Sequence, residues 1–150
     1  MKCECGGVLK DHTLKTYNFS YLAGFPVQVQ LVPGLRCSTC KWETLEGDVI
    51  NSILQMLTRA LVGQPSTSQP DVVRFLRKRL RMTPQALADR LGVPCDAVEK
   101  WEGQGWISSE HDQQLRELIR TGEVGGKPLI TQSHPKSLVG VKVLVGDAIG

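Results

Sequence analysis

The residues best placed to do chemistry are cysteines. Five occur in the 150-residue chain, and four fall in two close pairs, Cys3 with Cys5 and Cys37 with Cys40. Deprotonated cysteines are soft, charged ligands, and zinc takes four of them in a tetrahedron. Two cysteines on one tight turn chelate an ion with little loop entropy, and a second such turn completes the shell. The spacing therefore predicts one structural zinc per chain, ligated by Cys3, Cys5, Cys37 and Cys40. Gly6 and Gly7 after the first pair, and Ser38 and Thr39 inside the second, leave backbone amides free to point at the sulfurs. The first pair is Cys-x-Cys, with a tighter bite than Cys-x-x-Cys, so His12 stands as an alternative to one cysteine. Free or disulfide-linked thiols are the competing account of the same four residues. Cys95, far from both pairs, reads as a small, partly buried side chain and not as a redox sensor.

A shell of four thiolates leaves no vacancy for a reacting water, which argues against catalytic zinc. No paired carboxylates, nucleophile–base pair or phosphate-binding loop stands elsewhere, so the chain reads as a non-enzyme. Its formal net charge of +3 permits a nucleic-acid partner without requiring one. No run approaches the roughly 18 uninterrupted apolar residues of a membrane-spanning helix. The start, Met1-Lys2-Cys3-Glu4-Cys5, lacks the apolar core of a secretory signal. A cytoplasmic protein with reduced thiols is the expectation.

The cysteine pairs need elements that bring them together. Val8 to Tyr21 has the β-branched and aromatic content of a strand, and Val27 to Leu31 alternates apolar with polar residues as a half-buried strand does. Ala23-Gly24-Phe25-Pro26 supplies the turn between them. After Cys40 the period changes. Val49, Ile50, Ile53, Leu54, Leu57 and Leu61 recur at helical spacing behind Asp48, a candidate N-cap. Residues 1–62 thus form a zinc-ribbon-like β module with one helix. Residues 63–70, small and polar, read as a linker.

Residues 71–121 read as all helical. Val72, Val73, Leu76 and Leu80 form an apolar stripe, and Arg74, Arg77, Lys78, Arg79 and Arg81 cover much of the rest. Thr83 is placed to cap a second helix with Pro84 at its first position, Gly92 to close it, and Val98 with Trp101 to bury a third. Ser108 or Ser109 starts a fourth through Leu115, Leu118 and Ile119. Trp106 could pack on the third helix or mark a dimer contact, and His111 and His134 read as surface positions. In the tail, 122–150, Val139, Val141, Val143 and Val145 alternate as a strand whose sheet stays open: dimer pairing, docking on the zinc module and disorder all fit. The fold class is α+β, a small zinc-ribbon-like module followed by an all-α domain.

Met82-Thr83-Pro84-Gln85-Ala86-Leu87-Ala88-Asp89-Arg90-Leu91-Gly92-Val93, followed by Ala97-Val98-Glu99-Lys100-Trp101-Glu102-Gly103, resembles the helix-turn-helix of the Cro/repressor (XRE) family. In that family the second helix crosses the DNA backbone and the third enters the major groove. The resemblance implies a DNA surface of Thr83, Gln85, Asp96, Ala97 and Lys100, with Arg77 and Arg81 of the basic run at phosphates. The sequence departs from the family at Pro84, which displaces Gln85 by one, and at Pro94-Cys95-Asp96, where serine and a basic or polar residue are common.

The order of the two modules resembles the MqsA-type antitoxins, in which a YgiT-type zinc finger precedes such a domain. The likeness spans residues 1 to about 120 and rests on Met1-Lys2-Cys3, the strands, Cys37-Ser38-Thr39-Cys40 with Glu43, and the repressor-like segment. Cys3-Glu4-Cys5 is one residue shorter than the family's Cys-x-x-Cys. Asp96 and Lys100 stand where its base-contacting asparagine and arginine usually do, and the tail lies outside it. The resemblance implies a homodimeric repressor that binds its own operator in double-stranded DNA. It also implies a zinc module that neutralises a ribonuclease toxin, in the manner of a type II toxin–antitoxin system. The alternative is a protein-interaction module that engages its partner through the zinc domain, with a helix-turn-helix that Pro94 and Asp96 have silenced.

Overall fold

The structure is a computed structural model that describes residues 2–64, 68–104, 107–124, 127–128 and 140–145. It is mixed α/β, with an antiparallel sheet of four strands and six helices among the described residues. Two compact units divide it: Met1–Met56 with the segment carrying the last strand, and Leu57–Gln132. The division falls within one helix, and the 63–70 stretch lies in the second unit. No described helix is long and apolar enough to cross a membrane.

In the first unit, β1 (Leu9–Asn18) and β2 (Val27–Cys37) pair from Leu9↔Cys37 to Asn18↔Gln28. Their connection is a single helical turn, α1 (Ser20–Ala23), closed by Gly24 at φ 90°, a value that favours a residue without Cβ. The Ser20 hydroxyl accepts from the Val27 amide at 3.0 Å and ties the turn to the strand. β2 runs six residues beyond the Leu31 at which the alternation alone would end it, through Pro33 and Gly34. Val27 and Val29 face inward; Leu31 then takes a left-handed φ of 57°, turns out to solvent at 52% exposure, and Val32 and Gly34 resume the inward face. That shift of one residue is why Leu31 leaves the core its period assigns it to. Gly34 is required there, since a Cβ would sit 2.7 Å from Leu14 Cδ1 and 2.9 Å from the Thr44 carbonyl oxygen.

The second edge of β2 is shared. β3 (Glu43–Thr44) pairs with Leu35 and Arg36, and β6 (Lys142–Val145) pairs with Val27 to Gln30. The valine-rich tail segment, which the sequence leaves without a sheet, thus completes the N-terminal one; Val139 lies outside the described residues. Helix α2 (Gly47–Val62) buries Ile53, Leu57 and Leu61 completely. It starts earlier than its apolar period suggests, so Asp48 lies inside the first turn, where its charge favours the exposed amides, and not at the cap.

The second unit holds α3 (Pro70–Arg79), α4 (Pro84–Leu91), α5 (Cys95–Gly103) and α6 (Ser109–Thr121), then a short hairpin of β4 (Glu123–Val124) and β5 (Lys127–Pro128). Val72, Val73, Leu76, Leu87, Ala88, Val98, Leu115 and Ile119 are almost fully buried, as the helical stripes demand. Thr83 Oγ1 accepts from the Ala86 amide at 3.1 Å and Ser108 Oγ from the His111 amide at 3.2 Å, capping α4 and α6. Gly92, at φ 70°, ends α4. Inside the stretch whose composition suggests a linker, Ser68 is buried and its amide donates to Asp112 Oδ1 at 3.2 Å; Pro65, Ser66 and Thr67 lie outside the described residues, as do Gly105, Trp106 and His134.

Candidate functional site

The hairpin register sets the cysteine site. Leu9 opposite Cys37 puts the start of β1 beside the end of β2, so the turns before one and after the other meet. In the first turn the Cys3 amide donates to the Gly7 carbonyl at 2.8 Å and the Gly6 amide to the Cys3 carbonyl at 2.9 Å, with Gly6 at φ 90°. A Lys2–Val8 bridge closes it. In the second, the Cys37 amide donates to the Trp42 carbonyl at 2.8 Å, and Lys41 takes a left-handed φ of 65° to complete the reversal. The Ser38 amide donates to the Val8 carbonyl at 3.0 Å, fastening one turn to the other.

All four sulfurs lie within 4.8 Å of one another, so Cys3, Cys5, Cys37 and Cys40 form a group that could hold a metal ion. The nearest pairs cross between the turns: Cys3 Sγ to Cys40 Sγ is 3.6 Å, and Cys5 Sγ to Cys37 Sγ is 3.4 Å. Four sulfurs about 2.3 Å from a central zinc stand roughly 3.8 Å apart in a tetrahedron. The quartet therefore fits a four-thiolate ion with little adjustment, and the Cys-x-Cys turn reaches without help. His12 is exposed on β1 opposite Gly34 and is not part of the group.

The backbone prepares the sulfurs for charge. Thr39 and Cys40 amides donate to Cys37 Sγ at 3.4 and 3.5 Å. The Cys40 amide, helped by that of Thr39 and by neighbouring thiols, holds the Cys37 thiol down at about 6 against the opposing effect of burial. At Cys3 the Cys5 amide pulls downward, but burial and the surrounding thiols, Cys40 foremost, outweigh it and push the group up to about 12. Cys40 is also raised: the Trp42 amide lowers it, while the Cys5 thiol and burial prevail. The amides of Cys40 and Thr39 thus favour a thiolate at Cys37, whereas Cys3 and Cys40 are pushed the other way. Gly7 packs against it, since a Cβ there would lie 2.6 Å from Cys37 Sγ and 2.8 Å from Thr39 Oγ1. The need for Gly7 is this close approach, which spacing alone does not reveal.

Cys95 is half-buried at the start of α5, with Sγ 3.9 Å from Glu99 Oε1. Burial first, then the carboxylates of Glu99, Asp96 and Asp89, raise its thiol above the ordinary value, which keeps it protonated and a weak nucleophile.

Of the residues assigned to a DNA surface, Gln85, Asp96 and Lys100 are exposed on α4 and α5, and Ala97 is half-buried. Thr83 is exposed but its hydroxyl is engaged as the α4 cap, and Gln85 Nε2 donates to Asp89 Oδ1 at 2.8 Å. Arg81 is exposed, in a left-handed conformation at φ 56°. Arg77 is different. Its Nε and Nη2 each bond a Glu102 carboxylate oxygen at 2.8 Å, and Nη1 donates to the Met82 carbonyl at 2.9 Å. All three nitrogens are used within the protein, so Arg77 fixes α3 to α5 and is not presented to a phosphate. Arg74 likewise donates to the Glu102 carbonyl at 3.1 Å. The burial of Glu102 is an element the sequence did not reveal. A second such residue is Arg116, buried in α6, with Nε 2.9 Å from Asp112 and Nη1 donating to the carbonyls of Val62 and Gln64. The i,i+4 spacing of Asp112 and Arg116 was the available signal. His111, expected at the surface, is half-buried with its ring 5.1 Å from that of Trp101.

No family model matches the chain, and neither the curated proteins nor the solved structures compared with it include a match.

Proposed function

We propose that the chain is a zinc-containing, DNA-binding transcriptional repressor, and that it autoregulates as the antitoxin of a type II toxin–antitoxin pair. The observation that carries the reading is the α4–α5 pair. A capped helix ends at left-handed Gly92, a short turn through Val93 and Pro94 follows, and α5 presents Lys100 to solvent over a base of buried Val98 and Trp101. This pair supports a helix-turn-helix reading in which α5 serves as the recognition helix. Lys100 is the base-edge or phosphate contact, and Arg81 adds charge from beside α4. Cys3, Cys5, Cys37 and Cys40 would hold zinc, whose contribution is a cross-link that stabilises a sheet too small to be secure by its own core. A homodimer and a ribonuclease partner follow from the resemblance in sequence.

The test is binding of the zinc-loaded protein to DNA from upstream of its own gene, by fluorescence anisotropy across a salt series, with unrelated DNA as control. Preference for the upstream DNA, a steep salt slope, and a loss of about tenfold in Lys100→Ala are expected. Equal weak binding to both DNAs would overturn the reading.

One observation favours the second reading, a protein-interaction module without DNA recognition. The exposed side of α5 carries Asp96 and Glu99, and Asp89 of α4 is near enough to act on the same Cys95 thiol. Carboxylates at that place oppose phosphate approach, so equal weak DNA binding would leave the helix-turn-helix as a scaffold and the zinc module as the part that engages a protein partner.

A further inference from the structure

Beside the cysteine quartet, the first unit has a groove of about 640 Å³. Leu9, Leu35 and Leu45 form an apolar floor, each buried. Trp42 lines it while leaving 52% of its surface in solvent. The exposed carboxylates of Glu4, Glu46 and Asp48 also line it, against one ammonium, that of Lys2. A half-exposed tryptophan over an apolar floor with a charged rim has the composition of a binding surface, not of a solvated loop.

The groove is continuous with the cysteine site. Leu9 and Leu35 share one buried cluster with Cys3 and Cys37, so the quartet backs the floor. Glu4 lies between two of the cysteines, and Trp42 accepts the amide hydrogen bond that closes the Cys37 turn. Four thiolates around one zinc leave two net negative charges, which add to those of the rim. The field over the groove is therefore negative on both counts.

The geometry points to this groove as the docking site for a cationic, leucine-bearing segment of a partner protein. Its aliphatic side chains cover Leu9, Leu35 and Leu45. An arginine or lysine lies on the face of Trp42, where the ring quadrupole attracts a cation, and pairs with Glu4, Glu46 or Asp48. A nucleic acid would bring phosphates against these carboxylates, so charge selects a protein. The proposal rests on the zinc reading for the added charge and for the placement of Glu4 and Trp42, and does not depend on DNA binding.

The test uses the full zinc-loaded chain and two labelled hexapeptide amides, Leu-Arg repeated three times and Leu-Glu repeated three times, followed by fluorescence polarisation. Saturable binding of the basic peptide is expected, with the acidic one weaker by about tenfold or more. Trp42→Ala, and separately Glu46→Lys with Asp48→Lys, each weaken the basic peptide by at least about tenfold, with zinc content unchanged. If Trp42→Ala does not fold, the charge-reversed protein, altered only at solvent-facing positions, carries the test. Equal binding of the two peptides, failure of the basic peptide to saturate, or unchanged affinity in the folded variants overturns the groove. Operator binding measured on the same samples separates that result from failure of the repressor reading.

Discussion

Arg77 and Glu102 meet as a two-pronged pair, Nε on Oε2 and Nη2 on Oε1, both at 2.8 Å, with side chains only 12% and 9% exposed. The pair joins the last turn of α3 to the end of α5 and so holds the orientation of the exposed side of α5. Removing Arg77 takes both close bonds from the buried Glu102 carboxylate and leaves it only the looser pairing with Arg74, whose Nε lies 3.5 Å from Oε1. Arg77→Ala is expected to destabilise the chain by about 3 kcal/mol, and Arg77→Lys by less, because an ammonium keeps the charge beside Glu102 while losing the planar fork. Denaturant unfolding measures both. A fully folded Arg77→Ala protein with unchanged midpoint and reduced DNA affinity would instead make Arg77 a phosphate contact.

Metal removal should act on the first unit through its turns. A chelator is expected to strip one zinc per chain and to lower the β-sheet signal in circular dichroism, with re-addition restoring both. Cys37→Ser should abolish stoichiometric binding, because this buried residue is one of the four ligands and its sulfur receives two amide donors that favour a thiolate. Cys95→Ser should leave zinc content at one per chain. Cobalt substitution gives a direct reading, since four thiolates in a tetrahedron produce intense visible absorption that His12 in place of a cysteine would alter. Retention of the metal by Cys37→Ser would remove the four-thiolate assignment.

Gly7 offers a sharper probe of the same centre. A Cβ at this position would stand 2.6 Å from Cys37 Sγ, closer than real side chains approach, so either the sulfur or the first turn must move. Gly7→Ala is expected to weaken zinc affinity by about tenfold while all four ligands remain, because ligand geometry held by surrounding packing sets metal affinity. Competition against a fluorescent chelator measures this. Unchanged affinity would mean that the turn yields without strain.

The cysteine group was legible because metal ligation needs particular residue types at close spacing, and the helices because their apolar residues recur at a fixed period. Thr83 and Gly92 mark a start and an end through local hydrogen bonding and a left-handed φ, which are properties of single residues. The missing parts are those that depend on residues far apart in the chain. Arg77 sits in a basic run, and nothing local distinguishes the arginine that finds a buried glutamate 25 positions later from those facing solvent. Leu31 looks like a core residue until its left-handed backbone turns it outward. The β6 segment shows the period of a strand but not its partner, because pairing with Val27 to Gln30 is decided across more than 100 residues.

Thr83 separates stability from recognition. Its hydroxyl caps α4 by accepting from the Ala86 amide at 3.1 Å, so Thr83→Ala is expected to cost about 1 kcal/mol, whereas Thr83→Asn, which caps as well, should cost little. If Thr83 also touches DNA, the asparagine variant will keep its melting temperature and lose operator affinity. If the hydroxyl only caps, affinity will follow stability in both variants. Thermal melts and anisotropy titrations on the same preparations distinguish the two.

Asp96 stands exposed in the first turn of α5, where two effects oppose each other. Its carboxylate favours the helix N-terminus, by about 0.3–1 kcal/mol at an exposed site. The same charge repels phosphates from the end of the helix that must enter the groove in the repressor reading. Asp96→Asn retains most of the shape and removes the charge. The variant is therefore expected to melt slightly lower and yet bind DNA several-fold more tightly at low salt, the gain fading as salt screens the lost repulsion. Loss of preference for the upstream DNA alongside that gain would identify Asp96 as a base reader, accepting from a cytosine amino group. An unchanged affinity at every salt concentration would place α5 away from DNA altogether and favour the reading in which the zinc module engages a protein partner.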